Sequence, residues 1–192
     1  MTLPDEMQLF LAPLNALQSL LEHFHGRGVI IGGIASSLLG KARLTADLDA
    51  MIILSMENIP DLLETAEKLG IYPRMENAAE FARKNRVLLL RHRDSATNID
   101  ISLGILPFEK EVVERSRQVV VGSIKIQLPT PEDLIIMKAV AHRPKDMLDI
   151  QGIANANPNL DRKRIEFWVR QFAEALDQAE LWTDVEILLK RS

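Results

Sequence analysis

The reading of the fold starts from two neighbouring stretches, Val29-Ile-Ile-Gly-Gly-Ile-Ala-Ser-Ser37 and Arg43-Leu-Thr-Ala-Asp-Leu-Asp-Ala-Met-Ile-Ile-Leu54. A short apolar run stopped by paired glycines, then an apolar run carrying two aspartates, predicts strands over 29–31 and 47–54. Between them, helical turns over 34–39 are closed by Gly40. In a strand, alternate side chains share a face with Cα atoms about 6.6 Å apart. Asp47 and Asp49 therefore point one way, and Leu48, Ala50 and Ile52 the other. Carboxylates this close repel unless a cation lies between them or a proton neutralises one. Mg²⁺, a hard ion that takes oxygen ligands, is the apt cation. A pair of solvated aspartates at a strand end is the plain alternative.

Asp100 lies in Asn98-Ile-Asp-Ile101, on the face opposite Ile99 and Ile101. If its strand lies beside that of Asp47 and Asp49, three carboxylates converge, enough for two metal ions about 3.5–4 Å apart, as in phosphoryl transfer. Gly32-Gly33 ends one strand and opens a helix, leaving backbone N–H groups unobstructed for an anion. No Gly-Lys-Ser/Thr follows, so it is not a Walker A loop.

Lys138 borders the apolar side of a helix over 131–142, started by Pro131 behind Thr130 as cap. Its ammonium either snorkels to water or reaches the phosphates of a nucleotide. Asp146 and Asp149, three apart on one helical face beside Arg143, either orient Lys138 or Arg43 or simply solubilise the surface.

The remaining periodicity predicts helices over 10–24, 56–69, 76–84 and 108–115, a hairpin over 86–103 and another over 119–128. After Pro129 the pattern is helical. One helix starts at Pro144, one is capped by Asp161, and a last covers 181–189. The expected fold is α/β (α+β), a mixed sheet flanked by helices and then a helical C-terminal part. Residues 1–129 form the core with its N-terminal helix, and 130–192 pack on it.

The text Gly32-Gly-Ile-Ala-Ser36, Arg43-Leu-Thr-Ala-Asp-Leu-Asp49, Asn98-Ile-Asp-Ile101, Pro131-Glu-Asp-Leu-Ile-Ile-Met-Lys138 and Arg143-Pro-Lys-Asp146 with Asp149 resembles the nucleotidyltransferase superfamily with a DNA polymerase beta-like fold. Within it, the text is most similar to the AbiEii-type toxin and stand-alone branch. The resemblance implies that Asp47, Asp49 and Asp100 ligate two Mg²⁺ ions, with Mn²⁺ as a substitute. It also implies that Asp100 assists deprotonation of the acceptor, that Gly32 and Gly33 cradle the triphosphate of an NTP, and that Lys138 contacts those phosphates. Ser36 and Ser37, Arg43 and Thr45 would assist around the nucleotide, with Arg143, Asp146 and Asp149 behind them. The branch often has serine directly after the first glycine, where this chain has Gly33. The implied activity moves an NMP group from an NTP to a hydroxyl on RNA, protein or a small molecule. The alternative is a nucleotide-binding or protein-interaction module that keeps the fold without turnover, as in one half of a toxin–antitoxin pair.

Composition narrows the rest. The 192 residues hold 23 Lys and Arg against 27 Asp and Glu, a formal charge of −4, which argues against a general nucleic-acid coat. A local cluster, Arg83, Lys84, Arg86, Arg91 and Arg93, could still receive the backbone of RNA or tRNA, or be a solvated face. Trp168, Phe172, Trp182 and Val185 would dock a protein partner if exposed, or complete the core. The absence of cysteine excludes thiol chemistry, and the four histidines form no HExxH pattern. No apolar run suits a membrane span, and Met1–Glu6 lacks the layout of a leader, so the cytoplasm is the expected location.

Overall fold

The computed structural model describes residues 10–43 and 45–190. Leu44, inside the Arg43–Asp49 motif, and the Met1–Glu6 segment lie outside the described residues. The chain divides into two units, residues 1–34 with 44–128, and residues 35–43 with 129–192.

The first unit holds a mixed five-stranded sheet in the order β1-β2-β5-β4-β3. Its strands are β1 (Gly28–Ile31), β2 (Asp47–Ile53), β3 (Ile71–Pro73), β4 (Val87–His92) and β5 (Asn98–Gly104). Only the β2–β5 pair is parallel. Period-two alternation sets the faces: Leu48, Ala50, Ile52, Ile99, Ile101, Leu103, Leu88 and Leu90 are buried, while Asp47, Asp49 and Asp100 are not. Helix α1 (Leu11–His23) packs on β1, and α3 (Ile59–Lys68) packs on β3. Helices α4 (Ala78–Asn85) and α5 (Pro107–Arg115) and the hairpin β6–β7 (Arg117–Val121, Ile124–Leu128) complete this unit.

Two local expectations need correction. The predicted helix over 56–69 is broken: Met56–Asn58 is a 3₁₀ turn whose start Ser55 caps, and α3 follows with Pro60 in its first turn. The Ile71–Pro73 segment, outside every predicted element, is an edge strand paired with β4. An edge position tolerates Pro73, because its missing N–H is not needed by a further strand.

Helix α2 (Gly32–Leu39) begins in the first unit and ends in the second. The second unit also contains α6 (Pro131–Ala141), α7 (Pro144–Ala156), α8 (Arg162–Leu176) and α9 (Glu180–Lys190). Caps fix two of these starts: Thr130 Oγ1 accepts from the Asp133 N–H at 3.3 Å, and Asp161 Oδ1 from the Arg164 N–H at 3.1 Å. Trp182 and Val185 are buried in this unit's core, so they do not form the exposed docking patch. Gly40 and Gly152 let the chain after α2 cross α7 closely: a Cβ on Gly40 would lie 2.8 Å from Ile153 N.

Candidate active site

The site grows from the end of β1. Gly32 has φ +66°, where a side chain is strained, and a Cβ there would overlap Asp49 Oδ2. A Cβ on Gly33 would lie 2.5 Å from Thr45 Oγ1. The glycine pair therefore lets the carboxylate strand lie directly against the N-terminal turn of α2. Thr45 Oγ1 donates to the Asp47 carbonyl at 3.2 Å, fixing the approach to β2.

The parallel register sets Asp47 beside Asn98 and Asp49 beside Asp100. Neighbouring strands are about 4.8 Å apart, so Asp49 and Asp100 occupy neighbouring positions on one face of two interior strands. Their side chains already have partners. Asp47 Oδ1 accepts from Asn98 Nδ2 at 3.1 Å, and Asp100 Oδ1 is held by Arg74 Nη2. Burial pushes the Asp100 carboxyl above the ordinary carboxylate range against the pull of Arg74, and the charges of Asp49 and Asp47 push the same way.

Beyond Asp100 the same face turns basic. Arg91, opposite Asn98 in the β4–β5 register, donates Nε to Asn98 Oδ1 at 3.1 Å. Arg93 lies over the Tyr72 ring, 4.0 Å from its centroid. Local sequence gave no role to Asn98 or to Arg74 as a partner of Asp100. For Asn98 a signal was present, since it lies two residues before Asp100 and so shares its face. Arg83 and Lys84, in the last turn of α4, and Arg86, just before β4, lie at the other end of that strand from Arg91, about 17 Å away along it. The clustered basic residues do not form one patch.

Among the described residues, no group of three or more His, Cys, Asp or Glu side chains is gathered to hold a metal ion as it stands. The donor set nevertheless suits one chemically. Asp49 and Asp100 in facing positions, with Asp47 two residues away on β2, offer the hard oxygens that Mg²⁺ prefers, once Asp100 leaves Arg74.

The remaining predicted residues belong to the second unit. Ser36 is buried in α2. Lys138, 5% exposed, donates to Asp146 Oδ1 at 3.0 Å and Asp149 Oδ2 at 2.6 Å. Arg43 grips Asp149 with two bonds of 2.7 and 2.9 Å, and Arg143 Nε bonds Asp146 at 2.6 Å. Burial alone would raise both carboxyls. Hydrogen bonds and charges from Arg143 and Lys138 on Asp146, and from Arg43 and Lys138 on Asp149, reverse this and hold both below the ordinary range. The ammonium and guanidinium groups here are thus engaged by carboxylates.

Solved structures share this fold. The chain is similar to the antibiotic-resistance factor ANT(2'')-Ia, at 16% identity and a TM-score of 0.60, over 92% of this chain and 97% of that one. It is also similar to an antigenic nucleotidyltransferase-like protein from Paracoccidioides brasiliensis, at 14% identity and a TM-score of 0.54, over 96% and 94%. At such identities the likeness is one of fold. The family follows from sequence: residues 10–164 match the model described as "Nucleotidyltransferase of unknown function (DUF6036)", and the chain belongs to that family. A search of curated proteins gives no match. Among the described residues, no helix is long and apolar enough to cross a membrane.

Proposed function

We propose that the chain transfers the NMP group of an NTP to a hydroxyl acceptor and releases pyrophosphate. The observation that carries this reading is the parallel register of Asp49 with Asp100, directly against the Gly32 turn. Asp47, Asp49 and Asp100 would hold divalent metal, Mg²⁺ with Mn²⁺ as substitute, which supplies charge neutralisation at the triphosphate and the acceptor oxygen. Backbone amides in the Gly32-Gly33 turn, neither residue carrying a side chain of its own, receive the triphosphate. Asp100, beside Asp49 in the β2–β5 register, takes the proton of the acceptor hydroxyl. The acceptor oxygen then bonds to the α-phosphorus as the bond to the bridging oxygen breaks, and pyrophosphate leaves. In the second unit the Lys138 ammonium is engaged by Asp146 and Asp149.

The test is pyrophosphate release from each NTP with Mg²⁺ and candidate acceptors. Asp49→Asn should reduce turnover to background while far-UV circular dichroism stays unchanged; undiminished turnover in that variant would refute the assignment. The hold of Arg74 on Asp100 favours one second reading, a nucleotide-binding module without turnover. Saturable NTP binding with no pyrophosphate release under any acceptor would select it. A place in the AbiEii-type branch, paired with an antitoxin in the cytoplasm, is the finer form of the proposal. Growth arrest by the wild type and not by Asp49→Asn tests that.

A further inference from the structure

Tyr72, Pro73, Arg74, Arg91 and Arg93 line a cavity of about 290 Å³ on the β3–β4 side of the carboxylates. Three guanidinium groups line it, and among the described residues only Arg74 of the three has an acidic partner. Among the described residues, neither Arg91 nor Arg93 pairs with a carboxylate. Arg91 uses Nε on the neutral Asn98 and has no protein partner for its two terminal NH₂ groups, and Arg93 rests on an aromatic face. In a chain of net charge −4, such a concentration of positive charge is a local arrangement rather than a by-product of composition. Like charges held together repel, and an anion between them relieves the repulsion. Guanidinium forks match phosphate oxygens in two-bond geometry, and Tyr72 with Arg93 offers a flat surface for a ring.

The register ties this pocket to the carboxylates. Asp47, Asn98, Arg91 and Tyr72 form one continuous row across β2, β5, β4 and β3, linked by the Asn98–Asp47 and Arg91–Asn98 hydrogen bonds. Arg91 is two strands from Asp47, roughly 10 Å, a span that a sugar and its phosphate can bridge.

We propose that this pocket binds the acceptor through a phosphate group, so that the hydroxyl receiving the nucleotide is carried on a phosphate ester rather than on a neutral or polycationic molecule. This rests on the proposed transfer for the word acceptor, but the binding is tested without NTP or metal. Two sources share the chemistry, a small phosphate monoester and a polynucleotide.

The probe is a short fluorescein-labelled oligoribonucleotide, followed by anisotropy at several salt concentrations, with adenosine 5′-monophosphate, adenosine and unlabelled oligoribonucleotide as competitors. The wild type should bind with affinity that falls as salt rises. The exposed double variant Arg91→Ala/Arg93→Ala should bind about tenfold more weakly or worse, having lost charge-assisted contacts. Arg91→Lys/Arg93→Lys should recover part of the loss, since it keeps the charge and not the fork. Displacement by the monophosphate assigns the pocket to a small ester, and displacement by the oligoribonucleotide alone assigns it to a polynucleotide; both uphold the proposal. Equal displacement by adenosine, absence of binding at low salt, or unchanged affinity in the double alanine variant overturns it. Failure of pyrophosphate release in the separate NTP assay, with this binding intact, would overturn the enzymatic reading and leave the phosphate site standing.

Discussion

Lys138→Met removes the ammonium shared by Asp146 and Asp149 while keeping a long apolar stem and good helix propensity. Losing one partner of a buried ion pair costs about 3–5 kcal/mol, because the remaining charge stays desolvated. Arg43 still grips Asp149 and Arg143 still grips Asp146, so the lower end, about 3 kcal/mol, is expected. For a chain of this length that corresponds to roughly 6–12 °C in melting temperature. Both tryptophans, Trp168 and Trp182, lie in the helical unit, so denaturant titration followed by their fluorescence reads this unit directly. Linkage adds a second signature. The folded-state values of Asp146 and Asp149 lie below the ordinary 3.8, so the stability they contribute is complete above 3.8 and disappears as pH falls through the folded values. Without the ammonium that depression shrinks, and the gap between wild type and variant should close as the solution is acidified below about pH 4. A loss under about 1 kcal/mol, the worth of a surface pair, would refute the reasoning. So would a gap that persists unchanged in acid.

Other perturbations test different parts of the molecule. Gly32→Ala forces a Cβ at φ +66° into Asp49 Oδ2, and a loss of about 2 kcal/mol or more by denaturant titration, with loss of turnover, is expected. Asp100→Asn should stabilise the metal-free protein at neutral pH, because the raised value means that the fold disfavours this carboxylate; the gain should vanish as pH falls through 3.8, which melts between pH 3 and 8 would show. Thr130→Ala deletes the cap of α6 and should cost about 1 kcal/mol in the same tryptophan-monitored titration. Chelation of divalent metal should abolish pyrophosphate release and Mg²⁺ should restore it; turnover that survives chelation would remove metal from the scheme.

What the sequence made legible is what depends on neighbours in the chain. Alternation separated Asp47 and Asp49 from Leu48, Ala50 and Ile52, and cap chemistry at Thr130 and Asp161 marked two helix starts. The three-residue β3 escaped, because a run that short has no period and Pro73 reads as a terminator. Long-range pairings escaped for a different reason. Arg74–Asp100, Arg43–Asp149 and Lys138–Asp149 depend on how elements pack, and a side chain's sequence neighbourhood carries no record of that. Lys138 could be read as snorkelling or as phosphate-binding, and nothing local foretold that two carboxylates on the next helix would pair with it in the interior.

Because fold alone does not decide function, the chemistry depends on register, and the turn just before β5 sets the β4–β5 part of it. His92 and Thr97 close the β4–β5 hairpin by a backbone bond of 2.9 Å. Inside it, Ser95 Oγ lies 2.9 Å from His92 Nδ1 and donates to Thr97 Oγ1 at 2.8 Å. Ala96 adopts φ +53° there, a conformation that the surrounding bonds must hold against its own preference. A slip of one residue in a strand turns every side chain to the other face. Such a slip of β5 against β2 would bury Asp100 and Asn98 and bring Ile99 and Ile101 to the carboxylate face. Leu48, Ala50 and Ile52 of β2 and Ile99 and Ile101 of β5 resist it, since all of them lie on the fully buried face. The carboxylate pair and the Asn98–Asp47 link therefore follow from the β2–β5 alignment, which the apolar face specifies, and the Arg91–Asn98 link from the β4–β5 alignment, which the polar turn specifies as well.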